Sequence, residues 1–210
     1  MLRRDIDSFL STIPNDITLV AATKYVDSSI MRDMFQHGIV NFGENRVDSF
    51  LMKYDQLQDL DVTWHFIGHL QRNKAKAVIN KIDYLHSLDS IELAKIISKE
   101  RTTPLNCFIE VSINHEESKN GVLKEDIKDF YKTVKDLPNI NIVGLMMMTI
   151  SASSLDEKQK QFHELTLIKK DLEETFNTSI PYLSMGMSDD YQAAIKEKAT
   201  HIRLGRILFE

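Results

Sequence analysis

The chain has a single cysteine, Cys107, so no disulfide can form within it, which suits a reducing compartment. Cys107 lies in the apolar run over 105–111 with no activating charge beside it, and it reads as a core residue rather than a nucleophile. No apolar stretch approaches membrane-spanning length. Residues 1–5 lack the apolar core of a signal peptide. There is no excess of basic residues: 26 Lys and Arg stand against 31 Asp and Glu, a net charge of −5. Such a chain has no general affinity for nucleic acid or an anionic membrane. The cytoplasm is the expected location. No linker, low-complexity tract or domain-scale repeat interrupts the chain, and 210 residues suffice for one good core. One domain over residues 1–210 is therefore expected.

What is there alternates. A short helix is expected over 1–12, broken by Pro14-Asn15-Asp16. Strands then follow at 17–23, 39–42, 62–67, 83–88, 105–112, 140–149, 180–184 and 201–204. Helices are expected between them at about 27–37, 45–58, 71–81, 90–101, 125–136, 156–175 and 189–198, with a loop over 114–121. Eight strands alternating with helices imply a parallel sheet and, in one chain, a closed (β/α)8 TIM barrel with an extra N-terminal helix. An open doubly wound sheet is the alternative.

In a barrel, chemistry sits at the carboxyl ends of the strands. Those ends collect Lys24, Asn45, His65, His86, Ser112, Met146, the run Ser184 to Ser188, and Arg203 to Arg206. The set is polar and cationic within an acidic chain. It holds no carboxylate cluster and no His and Cys at metal-ligand spacing, so no metal site is expected. For His65 and His86 a satisfied histidine in the core or at the mouth competes with any ligand role. Arg72, Lys74 and Lys76 read as a solvated helix face rather than a nucleic-acid contact.

Lys24 closes an apolar stretch rich in β-branched residues. A lysine at the end of a buried strand must be solvated, paired, neutral or used covalently. It is either a snorkelling side chain or a Schiff-base lysine. The stretch Ser184-Met185-Gly186-Met187-Ser188-Asp189-Asp190 offers glycine, hydroxyls and backbone N–H groups at a helix start, which suits a phosphate. A plain capped helix is the competing reading. Gly205 lets the eighth loop approach as well. The first strand neighbours the seventh and eighth in a closed barrel. That adjacency favours a phosphorylated aldehyde held as an imine, namely pyridoxal 5′-phosphate (PLP).

These motifs resemble a known family. Ala22-Thr23-Lys24, Phe42-Gly43-Glu44-Asn45, the run Trp64 to Lys74, Gly144-Leu145-Met146, the run Ser184 to Asp190 and Arg203-Leu204-Gly205 are similar, in order, to those of the YggS/PROSC family of pyridoxal phosphate homeostasis proteins. The likeness runs from near residue 20 to the C-terminus. It implies the N-terminal barrel of alanine racemase, the fold type III group of PLP proteins. It implies that Lys24 carries the cofactor as a Schiff base and that Arg203 faces the pyridine nitrogen. The segment Ser184, Gly186, Met187 and Ser188, with Gly205, would hold the phosphate. Asn45 and Met146 would stand beside the ring, and His65 joins the candidate cofactor contacts. No residue is assigned a firm catalytic role. Arg206 departs from the family's small hydroxyl residue; a guanidinium facing the phosphate is the favoured pose.

The implied function is binding of PLP and a part in its intracellular homeostasis or delivery. The alternative is a racemase-like enzyme acting on amino acids. Such an enzyme needs a second base, usually from a further domain of a partner subunit, and this chain is expected to end with the barrel. Expected partners are PLP, PLP-dependent apo-enzymes and amino acids, with no nucleic acid and no membrane. A monomer or weak dimer is expected.

Overall fold

The computed structural model describes residues 1–113 and 120–209. The loop expected over 114–121 falls mostly outside them, as does the C-terminal residue. In chain order the elements are α1 (Ile6–Leu10), β1 (Thr18–Ala22), α2 (Ser28–Gln36), β2 (Asn41–Glu44), α3 (Val47–Gln56) and β3 (Thr63–Phe66). A 3-10 turn (Arg72–Lys74), α4 (Ala75–Val78), β4 (Tyr84–Leu88), α5 (Ile91–Glu100), β5 (Leu105–Ser112), β6 (Val122–Leu123) and α6 (Ile127–Val134) follow. The chain finishes with β7 (Ile140–Met146), α7 (Leu155–Phe176), β8 (Tyr182–Ser184), α8 (Tyr191–Lys196), β9 (His201–Leu204) and a 3-10 turn at Arg206–Leu208.

The strands run in the order β4-β3-β2-β1-β9-β8-β7-β5, and β4 also pairs with β5. That last pairing closes the sheet into an eight-stranded parallel barrel and rules out the open doubly wound alternative. β6 is a short addition, parallel to the end of β5. Leu88 follows this closure: it pairs with Ile109 across a register shift.

Several boundaries differ from expectation, each for a local reason. The N-terminal helix is confined to Ile6–Leu10, because Leu2 forms an antiparallel bridge with Phe209 and Arg3 N donates to Leu208 O at 3.0 Å. β2 is displaced to Asn41–Glu44, although glycine and glutamate usually stop an apolar run. Gly43 is needed there: a Cβ would stand 2.9 Å from Val20 Cγ1 and 3.0 Å from Ile67 Cδ1. Glu44 tolerates burial because Lys53 pairs with it. The helix after β3 is a 3-10 turn and one α-turn rather than 71–81. Lys74 and Lys76 on it pair with Asp48 at 3.5 Å and Glu100 at 2.9 Å. By contrast α7 starts where its sequence says: Ser154 and Glu157 form a capping box. It ends on Asn177 in the left-handed region, φ 46°.

Apolar side chains such as Phe50, Leu93, Phe162 and Leu172 bury the helices against the outside of the barrel. The inside is less ordinary, since barrel interiors favour branched aliphatic residues. Here His65 stacks on Tyr84 with centroids 4.7 Å apart, and His86 stacks on Phe108 at 4.4 Å. His201 meets Tyr182 at 4.9 Å and Phe108 at 5.1 Å. Gly144 makes room for β8: a Cβ would lie 2.2 Å from Tyr182 O. No helix among the described residues is long and apolar enough to cross a membrane.

Candidate functional site

The carboxyl ends of β1, β8 and β9 frame a cavity of about 600 Å³ lined by Lys24, Tyr25, Thr149, Lys158, Met187, Ser188, Asp190, Arg203, Gly205 and Arg206. Register explains the meeting. β9 pairs with β1, Val20 opposite Arg203 and Ala21 opposite Leu204, and β8 pairs with β9. A depression of about 720 Å³ lies elsewhere, over His69, Gln71, Arg72 and Asp89, and holds none of the expected site residues.

Lys24 takes the solvated one of its expected poses. β1 stops at Ala22, and Lys24 lies two residues beyond it, exposed, its ammonium 4.9 Å from the ring centroid of Tyr25. The burial that would set this lysine apart belongs to its neighbours instead. Thr23 is fully buried; its Oγ1 donates to Glu44 Oε1 at 2.6 Å. Lys53, 2% exposed, donates to Glu44 Oε1 at 2.6 Å and to Thr23 O at 2.7 Å. This buried pair anchors the backbone immediately before Lys24. It escaped the sequence reading, yet a signal existed: Val47, Phe50 and Lys53 recur every three residues on the buried face of α3.

Arg203 is 4% exposed and reaches the cavity wall. Its Nη1 donates to Ser184 Oγ at 2.6 Å and its Nη2 to Met147 O at 2.8 Å. Burial lowers its pKa to about 10, against the pull of Glu110 and Asp190, so it remains a cation and a donor near neutrality. Ser184 is fully buried beneath it and does not line the cavity. His65 lies deeper still, bonded to His86 and to Asn41 rather than placed at the mouth. Met146 packs with Phe108 and Val143 in the interior. The structure therefore brings Lys24, Met187, Ser188, Arg203, Gly205 and Arg206 together, and leaves Ser184, His65 and Met146 below them.

The loop after β8 is shaped by Gly186, at φ 93°, where a Cβ would stand 2.7 Å from Ala194 Cβ. Asp190 turns its carboxylate away from α8 to accept from Met187 N at 2.7 Å and Thr149 Oγ1 at 2.8 Å. No side chain caps that helix, which removes the capped-helix reading. It also occupies the Met187 N–H expected to be free. The backbone N–H groups of Gly205 and Ile207 converge on Ser188 Oγ at 3.3 and 3.4 Å. Two long bonds aimed at one oxygen are a place where an anionic oxygen can compete. Asn45 follows β2, next to the strand of Lys24, and its Oδ1 is a buried oxygen without a partner among the described residues. Cys107 is buried, and burial pushes its thiol upward, as a core residue requires. Among the described residues no group of three or more His, Cys, Asp and Glu is arranged to hold a metal ion.

A family model described as the alanine racemase N-terminal domain matches residues 22–210. The pyridoxal phosphate homeostasis protein of Aquifex aeolicus (strain VF5) is 38% identical over 198 residues, 93% of this chain and 87% of that protein. The chain belongs to the pyridoxal phosphate homeostasis family. A solved member, PipY of Synechococcus elongatus PCC7942, superposes with a TM-score of 0.94 without PLP and 0.90 with PLP bound. It is 30% identical in each case. The match covers 100% of both chains in the first structure; in the second it covers 98% of this chain and 100% of that one.

The pose of Arg206 departs from the favoured expectation. Its side chain is 75% exposed and pairs with Asp189 across the two loops. An exposed pair of this kind contributes little. Arg206→Thr should therefore leave ligand affinity within about twofold and unchanged in its salt dependence. A loss of about tenfold or more, confined to phosphorylated ligands, would show that the guanidinium swings from Asp189 to an anion.

Proposed function

We propose that this chain, one barrel domain over residues 1–210, binds PLP as a Schiff base on Lys24 and serves its homeostasis or delivery within the cytoplasm. The observation that carries the reading is one cavity lined by Lys24, Arg203, Ser188 and Gly205 together, with the Gly205 N–H directed at Ser188 Oγ. An aldehyde, a ring nitrogen and a phosphate call for those groups together. The unpartnered Asn45 oxygen beside the first strand fits a bound molecule that carries a donor. PLP supplies an electrophilic aldehyde and, where its ring nitrogen is protonated, an electron sink.

The residues of this chain bear on the second property. Arg203 is a cation with no proton to surrender near neutrality, held by Ser184 and by the Met147 carbonyl. Facing a ring nitrogen, it would donate a hydrogen bond without protonating it, which favours holding the cofactor over carbanion chemistry. Tyr25, at 83% exposure, and Met1, at 82%, stand at the rim. An open rim suits exchange of the cofactor with amino acids or PLP-dependent apo-enzymes. The oligomer proposed is a monomer or weak dimer.

Titration of the unliganded protein with PLP should produce a saturable visible band absent with pyridoxine 5′-phosphate, which has no aldehyde. In deuterated water the complex should not exchange the α-hydrogen of L- or D-alanine faster than free PLP does. Exchange at rates of order 1 s⁻¹ would establish the racemase-like alternative.

A further inference from the structure

Beneath Arg203 runs a chain of hydrogen-bonded side chains taken from four strands. Arg203 Nη1 meets Ser184 Oγ at 2.6 Å; Ser184 Oγ meets His86 Nδ1 at 2.8 Å. His86 Nε2 meets His65 Nδ1 at 2.9 Å, and His65 Nε2 meets Asn41 Oδ1 at 3.0 Å. Ser184, His86 and His65 are all fully buried. None of Ser184, His86, His65 and Asn41 lines the cavity.

The Asn41 end of the chain dictates how its protons lie. Asn41 Oδ1 only accepts, so His65 Nε2 donates to it. Burial holds both imidazoles neutral: His65 is lowered to about 3 and His86 well below its usual value. A neutral imidazole has one N–H. His65 Nδ1 therefore accepts, His86 Nε2 donates to it, and His86 Nδ1 accepts in turn. The Ser184 hydroxyl must then donate to His86 Nδ1. From the other end, Arg203 only donates, so Ser184 Oγ receives its Nη1–H. The Asn41 end sets this arrangement and the Arg203 end is compatible with it, every bond pointing from Arg203 towards Asn41.

We propose that His86 and Ser184 are positioning residues for Arg203: the directed chain Arg203–Ser184–His86–His65–Asn41 fixes the guanidinium at the cavity wall, and with it the selectivity of the site for a ring nitrogen. The inference rests on the PLP reading. Ser184 keeps its lone pair turned up to Arg203 only while His86 Nδ1 takes its proton. Without that acceptor the hydroxyl is free to rotate, and one of the two anchors of the guanidinium becomes optional. Met147 O alone leaves Arg203 a hinge.

The test compares PLP with its analogue bearing a ring C–H in place of the ring nitrogen, titrated into the unliganded protein. Ser184→Ala and His86→Phe should each weaken PLP by about tenfold, while affinity for the carbon analogue stays unchanged or improves. His86→Asn places an amide oxygen near the position of Nδ1 and should restore most of the PLP affinity. The Ser184→Ala, His86→Phe double variant should be no weaker than the single ones, because both cut one path. Equal losses for both ligands would overturn the inference in favour of a general packing defect, and unchanged PLP affinity in the variants would overturn it outright. Should His86→Phe fail to fold, Ser184→Ala decides, since it removes one oxygen and leaves the strand intact. A parent protein that binds neither ligand would overturn the PLP reading and this inference with it; unchanged variants overturn only the inference.

Discussion

Lys53→Met should destabilise the fold by about 3–5 kcal/mol, the cost of leaving a buried charge without its partner. Lys53 and Glu44 have side chains 3% and 0% exposed, and their charged atoms are 2.6 Å apart. Methionine keeps the length of the stem and removes the ammonium. Glu44 then retains only hydroxyl donors, from Thr23 at 2.6 Å and Ser49 at 3.2 Å. The carbonyl of Thr23 also loses the Lys53 donor. Urea unfolding gives the measurement, with an unchanged m value required for the comparison. The Glu44→Gln, Lys53→Met double variant should be more stable than Lys53→Met alone, because it removes the stranded charge as well. A single-variant cost under about 1 kcal/mol is the value of a surface pair and would contradict the burial described. Ligand binding should fall in Lys53→Met even under conditions where it is folded, since the pair holds the residue before Lys24.

Stability should fall steeply below pH ~6.5, because three buried histidines must take up protons once unfolded. Burial lowers His65 to about 3 and His201 to about 4, and holds His86 well below the usual range. A depressed folded pKa gives stability that is present above the unfolded pKa and lost as pH falls towards the folded one. Each proton contributes a slope of about 1.4 kcal/mol per pH unit. Glu110 works in the opposite sense. Burial, with Asp89 nearby, raises it to about 7 despite Arg203 and His69, so the native state already holds its proton at pH ~5. Its contribution is complete below the usual carboxylate range and is lost as pH rises through about 7. Three protons gained by the unfolded chain against about one held by the native state leave a net of about two. The slope near pH 5 should therefore be about 2.7 kcal/mol per pH unit, enough to unfold a domain of ordinary stability by pH ~4. His201→Phe, which keeps an aromatic ring among Phe108, Tyr182 and Tyr84, should reduce that slope by one proton. A profile flat between pH ~7 and ~5 would mean that the histidines are not held neutral.

The barrel was legible because short apolar runs alternate with helical patterns, and eight parallel strands in one chain have few ways to avoid a free edge. Closure was expected with it and rests on the β4–β5 pairing, where a register shift makes the ladder irregular. That Lys24, Arg203, Ser188 and Gly205 meet around one cavity was legible because strand ends sort themselves onto one face of a barrel. The misplacements share a cause. Ser184, Met146 and His65 lie within one or two residues of strand ends, yet each points into the interior, and facing is decided by the pleat and stagger of the whole sheet. His65 and His86 were each legible as satisfied histidines. That they satisfy one another, and pass the bond on to Arg203, depends on cross-strand register that no single stretch encodes. The exposed Lys24 matches the snorkelling side of its two readings: β1 ends at Ala22, while Lys53 is buried, with its Nζ on the carbonyl of Thr23.

The central claim is that one lysine of this chain takes the cofactor covalently. The most direct measurement is borohydride reduction of the protein incubated with PLP, followed by digestion and mass analysis of every lysine-containing peptide. One added cofactor per chain is expected, on the peptide holding Lys24, and none in Lys24→Ala, which would still retain PLP weakly through the loops at Ser188 and Gly205. Label on Lys53, Lys158 or any other lysine in place of Lys24, or no label at saturating PLP, would contradict it.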